Sequence, residues 1–185
     1  MSVNGEYLRV TPAELARAVK DPEWAFEYVM EVMETDGIND VAPSDARQLT
    51  THKAFDAIAF LLERASFPVD IVHGEQTFTS EDWGYGPAKY LDADQVELAA
   101  GALAGLSFED LIREVGPEQM TAAQIYPLLW DEADALEWVR GWFGRWPRSS
   151  APLPKQARPC WSGSTAACSS APWTTSPCVS WARRW

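Results

Sequence analysis

Every one of the chain's 27 acidic residues lies at or before Glu137, and the 48 residues that follow contain no carboxylate side chain. Residues 1 to 137 carry 8 basic side chains against those 27 acids, a formal charge of −19, whereas residues 138 to 185 carry 7 basic side chains unopposed. All three cysteines (Cys160, Cys168, Cys178) and seven of the ten tryptophans also fall in the second part. A chain divided in this way reads as two kinds of sequence joined together. The part before the break has the usual size of one domain, and that is where a core is expected.

The charge bears on partners more than on fold. An acidic surface of this density repels phosphate backbones, whose binding needs clustered Lys and Arg, so nucleic acid is not an expected ligand. The same field speeds encounter with a basic protein surface. Set against that is the plain reading of a solvated acidic surface that keeps a protein soluble. No run approaches the roughly 18 apolar residues needed to cross a bilayer, and Met1 to Val10 lacks the basic and apolar regions of a signal peptide. A cytoplasmic protein without membrane association is expected. An odd cysteine count confined to one biased stretch defines neither a disulfide framework nor a metal site.

The punctuation is mostly helical. Glu6 to Val10 is a short β-prone run, and Thr11-Pro12-Ala13-Glu14 supplies an N-cap, a proline at the first helical position and a capping-box glutamate. A second helix is expected from Asp21-Pro22 to near Gly37, a loop from Asn39 to Thr51, and a buried third helix through Phe55, Ile58, Ala59, Leu61 and Leu62. Residues 66 to 91 are irregular: Val69 to Val72 reads as a short strand, His73-Gly74-Glu75 as a turn, and Pro87 to Leu91 as an extended segment. Asp92 with Gln95 caps a further helix. Ser107 with Asp110 caps another that stops at Gly116-Pro117, and Asp131 opens a last one through Phe143. The expected class is α+β: a mostly helical single domain with a small sheet of short strands.

Trp83-Gly84-Tyr85-Gly86-Pro87-Ala88-Lys89-Tyr90-Leu91, followed by Gln95-Val96, resembles the signature of the YfbM-like family of small bacterial proteins, a domain of unknown function. Tyr7 to Pro12, Lys53 to Asp56 with Phe60 to Leu62, and Ile125-Tyr126-Pro127 with Trp130 match in the family's order. The resemblance covers residues 5 to about 143 and implies an α+β domain with no established activity. One position departs from it. Family members often carry a His in the third helix where this chain has Ala59, so acid–base work by that imidazole is not expected.

Glycines flanking aromatics let a backbone turn sharply and approach a ligand, so Trp83 and Tyr85 are candidates to line a binding groove with Lys89 beside it. The structural alternative is that the rings plug a gap between helices and sheet. Tyr126 and Trp130 carry the same ambiguity, tilted further toward packing. Asp56 on the third helix needs a partner or an outward orientation. A paired-carboxylate site from Asp56, Glu75 and Asp82 has no spacing rule behind it, so no catalytic residue is assigned. His52 and His73 lie in polar loops without Cys or His partners at ligand spacing, and neither a metal nor a cofactor is expected.

From Pro147 onward the chain is rich in Ser, Pro, Ala, Trp, Cys and Arg, with no apolar periodicity. Such a composition is what a GC-rich gene yields when read out of frame. Shifting the frame over Arg145 to Ser164 permits a continued helix, a glycine stop and an apolar strand, and Cys160 and Trp161 force apolar residues whichever codons are used. The expected organisation is therefore a domain over residues 1 to 143 and an out-of-frame, disordered or poorly packed tail over 144 to 185. On this reading the terminal strand is missing and the chain is marginally stable. Two functional classes follow: a non-enzymatic acidic interaction protein, of the immunity type that neutralises a basic protein, and a small enzyme or ligand-binding domain using the Trp83 to Tyr90 loop.

Overall fold

A computed structural model describes residues 3 to 39, 47 to 84, 86 to 146 and 178 to 184. Strand β1 (Val3–Arg9) runs directly into helix α1 (Pro12–Lys20), because Thr11 and Glu14 close a reciprocal cap: the Glu14 amide donates to Thr11 Oγ1 at 3.2 Å and the Thr11 amide to Glu14 Oε2 at 2.7 Å. Helix α2 (Pro22–Asn39) follows, then strand β2 (Gln48–His52), helix α3 (Phe55–Arg64), and the strands β3 (Gln76–Asp82) and β4 (Pro87–Leu91). Helices α4 (Ala93–Ala104), α5 (Phe108–Ile112), α6 (Pro117–Ala122) and α7 (Ala135–Phe143) come next. Asp92 and Gln95 form a second capping box at α4, and Ser107 accepts from the Asp110 amide at the start of α5. Strand β5 (Cys178–Arg184) is last.

The strands form one antiparallel sheet in the order β2-β1-β5-β4-β3. Strand β5 pairs with β1 in unbroken register from Val3↔Arg184 to Arg9↔Cys178, and on its other side with β4 from Lys89↔Ser180 to Leu91↔Cys178. The expected loss of the terminal strand is thereby corrected, since Cys178–Arg184 lies in the middle of the sheet. Three further expectations are revised. Gln48–His52, expected in a loop, is an edge strand. Gln76–Asp82 is the opposite edge strand, while Val69 to Val72 folds into turns around Asp70. The helix capped by Ser107, expected to stop at Gly116-Pro117, ends at Ile112, and Gly116-Pro117 instead starts α6, with proline at a first-turn position. The α+β class holds.

The sheet is covered on both faces, which is why β1 is buried along almost its whole length. Tyr7 and Val3 join the larger core, built from α3 to α7 and containing Ile58, Leu61, Met120, Val139 and Phe143. Leu8 points the other way, into a smaller core with Leu15 and Ala18 of α1, Ala25 and Val29 of α2, and Trp83 and Ala88. Gly5 lies where β1 bulges against β2 and α3 begins on top of it. A β-carbon there would stand 2.7 Å from Phe55 Cβ and from Thr51 Oγ1. Gly5→Ala is expected to lower stability by about 1–3 kcal/mol through overpacking, read as a drop in the urea midpoint at unchanged slope. An unchanged midpoint would mean that α3 is not seated on the strand in this way.

Candidate functional site

The turn between β3 and β4 is built on Asp82, whose Oδ1 accepts from the amides of Gly84 and Gly86, each at 2.8 Å. Gly84 and Gly86 take φ of 133° and 105°, a region that disfavours any side chain, while the space around a Gly86 β-carbon is open. The glycines thus serve backbone conformation. This turn delivers Trp83 into the smaller core, 6% exposed, with its ring edge-on to Phe26 at 5.3 Å and to Phe78 at 5.4 Å. The cavity beside it is about 10 Å³, the size of one water. Trp83 fills the gap between α2 and the sheet. Tyr85 lies outside the described residues. Lys89 is half-buried on β4, in register with Thr77 on one side and Ser180 on the other.

Tyr126 and Trp130 belong to the opposite side of the sheet. The Tyr126 amide donates to Asp56 Oδ2 at 2.8 Å, which supplies the partner that the Asp56 carboxylate requires, and the Tyr126 hydroxyl accepts from the Val3 amide at 3.2 Å. Trp130 is 3% exposed and donates from Nε1 to the Ile125 carbonyl at 2.7 Å. Trp83 and Trp130 are therefore packed into separate cores. Trp83 on one side of the sheet and Tyr126 and Trp130 on the other therefore do not line one groove.

A different cavity, about 320 Å³, opens between α3 and the loop after it, lined by Ala59, Leu62, Phe67, Ile71 and the polar pair Asp70 and His73. Asp70 organises the loop by accepting from the amides of Val72 and His73 through Oδ1, while His73 Nδ1 stands 3.1 Å from its Oδ2. Glu75 Oε1 accepts from the Asp70 amide, and Gln95 of α4 reaches Glu75 Oε2 at 2.7 Å. The bond to Asp70 raises the His73 imidazole above its ordinary value and outweighs partial burial; the Asp56 charge adds to the rise and Lys89 opposes it. For Asp70, burial pushes the carboxyl upward, but the hydrogen bonds from His73 prevail and hold it low. Spacing did not single out this pair, although Asp-x-x-His before a glycine is the pattern of an Asx-type turn.

The two shifts act on stability in opposite directions along the pH scale. A raised histidine stabilises fully below its unfolded value of about 6.5, and that contribution disappears as pH rises through the folded value. A depressed aspartate stabilises above its unfolded value, and the contribution is lost as pH falls through the folded one. Between about pH 6 and 8 the wild-type melting temperature is thus expected to decline relative to that of His73→Gln, with an NMR titration placing His73 above 6.5. Parallel melting curves across that range would contradict the pairing.

A family model for the domain of unknown function DUF1877 matches residues 1–145. The chain belongs to this family. No curated protein and no solved structure matches it. The matched span takes in α1 to α7 and β1 to β4, and stops short of β5.

A further polar cluster of this DUF1877 chain ties α1 and α2 to Arg47, the residue ahead of β2. Arg47 donates to the Arg9 carbonyl through Nε and Nη2, at 3.1 and 2.9 Å, pairs with Glu14 Oε2 at 2.7 Å and bonds the Tyr28 hydroxyl, which itself donates to Glu14. Burial alone would raise the Glu14 carboxyl, but the Thr11 amide, Tyr28 and Arg47 hold it below its usual range. Every donor in this cluster is matched to an acceptor within the fold, which makes it a structural tie between layers. Among the described residues no group of three or more His, Cys, Asp or Glu is placed to hold a metal ion, and no helix is long and apolar enough to cross a membrane.

Proposed function

We propose that this protein is a non-enzymatic interaction protein whose acidic surface binds a basic protein partner, in the manner of an immunity protein that neutralises a cationic target. The observation that supports this most directly is the outer face of α2. Glu23, Glu27, Glu31 and Glu34 are exposed and fall within an arc of about 80° at 100° per residue, opposite the buried Ala25 and Val29. The helix contains no basic residue, and among the described residues none of the four glutamates has an ion pair. Like charges three and four apart cost a helix about 0.2–0.5 kcal/mol per pair. A cationic partner relieves that repulsion, and long-range attraction raises the rate at which it docks.

The experiment is affinity capture on the full chain followed by a salt series with the captured basic protein. Affinity is expected to fall steeply toward about 1 M ionic strength, where the screening length is about 3 Å. Glu27→Lys combined with Glu31→Lys is expected to weaken capture by about tenfold or more at low salt. Failure to retain a basic protein, or an affinity indifferent to salt, overturns the reading. The second reading is a small enzyme or ligand-binding domain. Its support has moved from the Trp83 to Tyr90 loop, where Trp83 fills the available space, to the 320 Å³ cavity beside Asp70 and His73.

A further inference from the structure

Ahead of α7 the chain presents an apolar surface that its own core leaves uncovered. The backbone is pinned at two points, by the Tyr126 amide on Asp56 and by Trp130 Nε1 on the Ile125 carbonyl. Between them Leu128 is 69% exposed and Leu129 43% exposed, two adjacent leucines among the few large apolar side chains that face solvent. They border a cleft of about 180 Å³ lined by Pro127, Leu129, Trp130, Ala135 and Trp138, with Glu132 and Asp134 on its wall. Asp131, Glu132 and Asp134 are all exposed, and none has a hydrogen bond or ion pair from a described side chain. The nearest cation along α7, Arg140, is already engaged by Glu109 and Glu137.

We infer that this cleft is the anchor point for a basic segment of a partner protein, in which one large apolar side chain enters the cleft while flanking Lys or Arg residues face Asp131, Glu132 and Asp134. The inference rests on the reading of the protein as a receptor for a basic partner and assigns that partner's contact. The apolar lining supplies a desolvated centre and the carboxylates a polar rim, the arrangement in which one buried anchor carries most of the affinity. Charge decides among occupants. A second copy docking through its acidic part, residues 1 to 137, would bring carboxylates against carboxylates, whereas a cationic segment neutralises the rim and can lay an Arg or Lys over the Trp138 ring. Docking of such a segment removes the exposed leucines from water.

The test uses the full chain and a fluorescently labelled peptide with a single Leu flanked by two lysines on each side, followed by fluorescence anisotropy at low salt. Saturable binding is expected, and replacing either the Leu by Gly or the lysines by Glu is expected to weaken it by about tenfold or more. Asp131→Lys with Glu132→Lys, and separately Leu129→Ser, are expected to do the same at unchanged melting temperature. These positions are exposed, so folding is retained. Peptide binding that survives both cleft variants but is lost in Glu27→Lys/Glu31→Lys overturns the cleft while leaving the basic-partner reading intact. Absence of binding by the lysine peptide together with absence of any captured basic protein overturns both. A dimer seen by light scattering and dissolved by Leu129→Ser would show the cleft to be a self-association surface and also overturns the proposal.

Discussion

Ser180→Pro is expected to abolish cooperative folding or to lower the urea midpoint more than any single exposed substitution elsewhere in the chain. Ser180 is paired with Tyr7 on one side and Lys89 on the other, so it stands in the interior of the sheet. Proline there has no amide hydrogen to give to either neighbour, and its ring does not fit the ladder of a central strand. The carbonyl left without a donor costs about 1–3 kcal/mol in a buried setting. Detaching β5 also turns β1 and β4 into open edges, each with a row of unpaired backbone groups ready to pair with another chain. A domain with a net stability of about 5–15 kcal/mol has little reserve for both. Size-exclusion chromatography and far-UV circular dichroism of the variant read the result. An unchanged midpoint would place Cys178–Arg184 outside the sheet and favour an appendage beginning near Gly144; the gene's alternative reading frame over Arg145 to Ser164 tests the origin of that segment independently.

Phe143→Ala is expected to cost about 3–5 kcal/mol, the range for deleting a fully buried aromatic ring. Phe143 is 1% exposed at the end of α7, with its ring 5.8 Å from that of Phe108 in α5, and it sits in the larger core with Met120 and Val139. The cavity it leaves is bordered by elements anchored elsewhere, so collapse around it is limited. Leu128→Ala removes an apolar side chain of comparable character at a site 69% exposed and is expected to change stability by no more than about 0.5 kcal/mol. Chemical denaturation of the two variants side by side separates burial from hydrophobicity as the cause. Equal losses would mean that the α5–α7 contact is not part of the cooperative core.

The helices were legible where their signals are local. Thr11 with Glu14 and Asp92 with Gln95 lie three residues apart and bond within one turn, so their capping boxes follow from spacing alone. Asp134, in contrast, gives no side-chain cap to α7, and the first turn expected from Asp131 is displaced to Ala135. The edge strands were not legible. Gln48–His52 and Gln76–Asp82 contain mostly polar residues and one large apolar side chain each, Leu49 and Phe78. They become strands because β1 and β4 offer them backbone partners. Val69 to Val72 failed in the other direction: its apolar run suits a strand, but Asp70 captures the local amides first.

For the candidate site the division is similar. The glycines of the Trp83 to Tyr90 turn announce a special backbone, and their φ values bear this out, yet nothing in the motif says on which side of the sheet Trp83 is buried. The cavity beside Ala59 and His73 is lined within residues 59 to 73 and the cleft behind Leu129 within residues 127 to 138, so both are local in the chain. The path of the second is nevertheless held by a distant residue, since Asp56 accepts from the Tyr126 amide. The division of charge at Glu137, the helix caps and the family motifs were set by the sequence itself, because each depends on residues a few positions apart or on composition. The place of Cys178–Arg184 between β1 and β4 and the separation of Trp83 from Trp130 were decided by tertiary structure, because strand pairing and burial depend on partners far away in the chain.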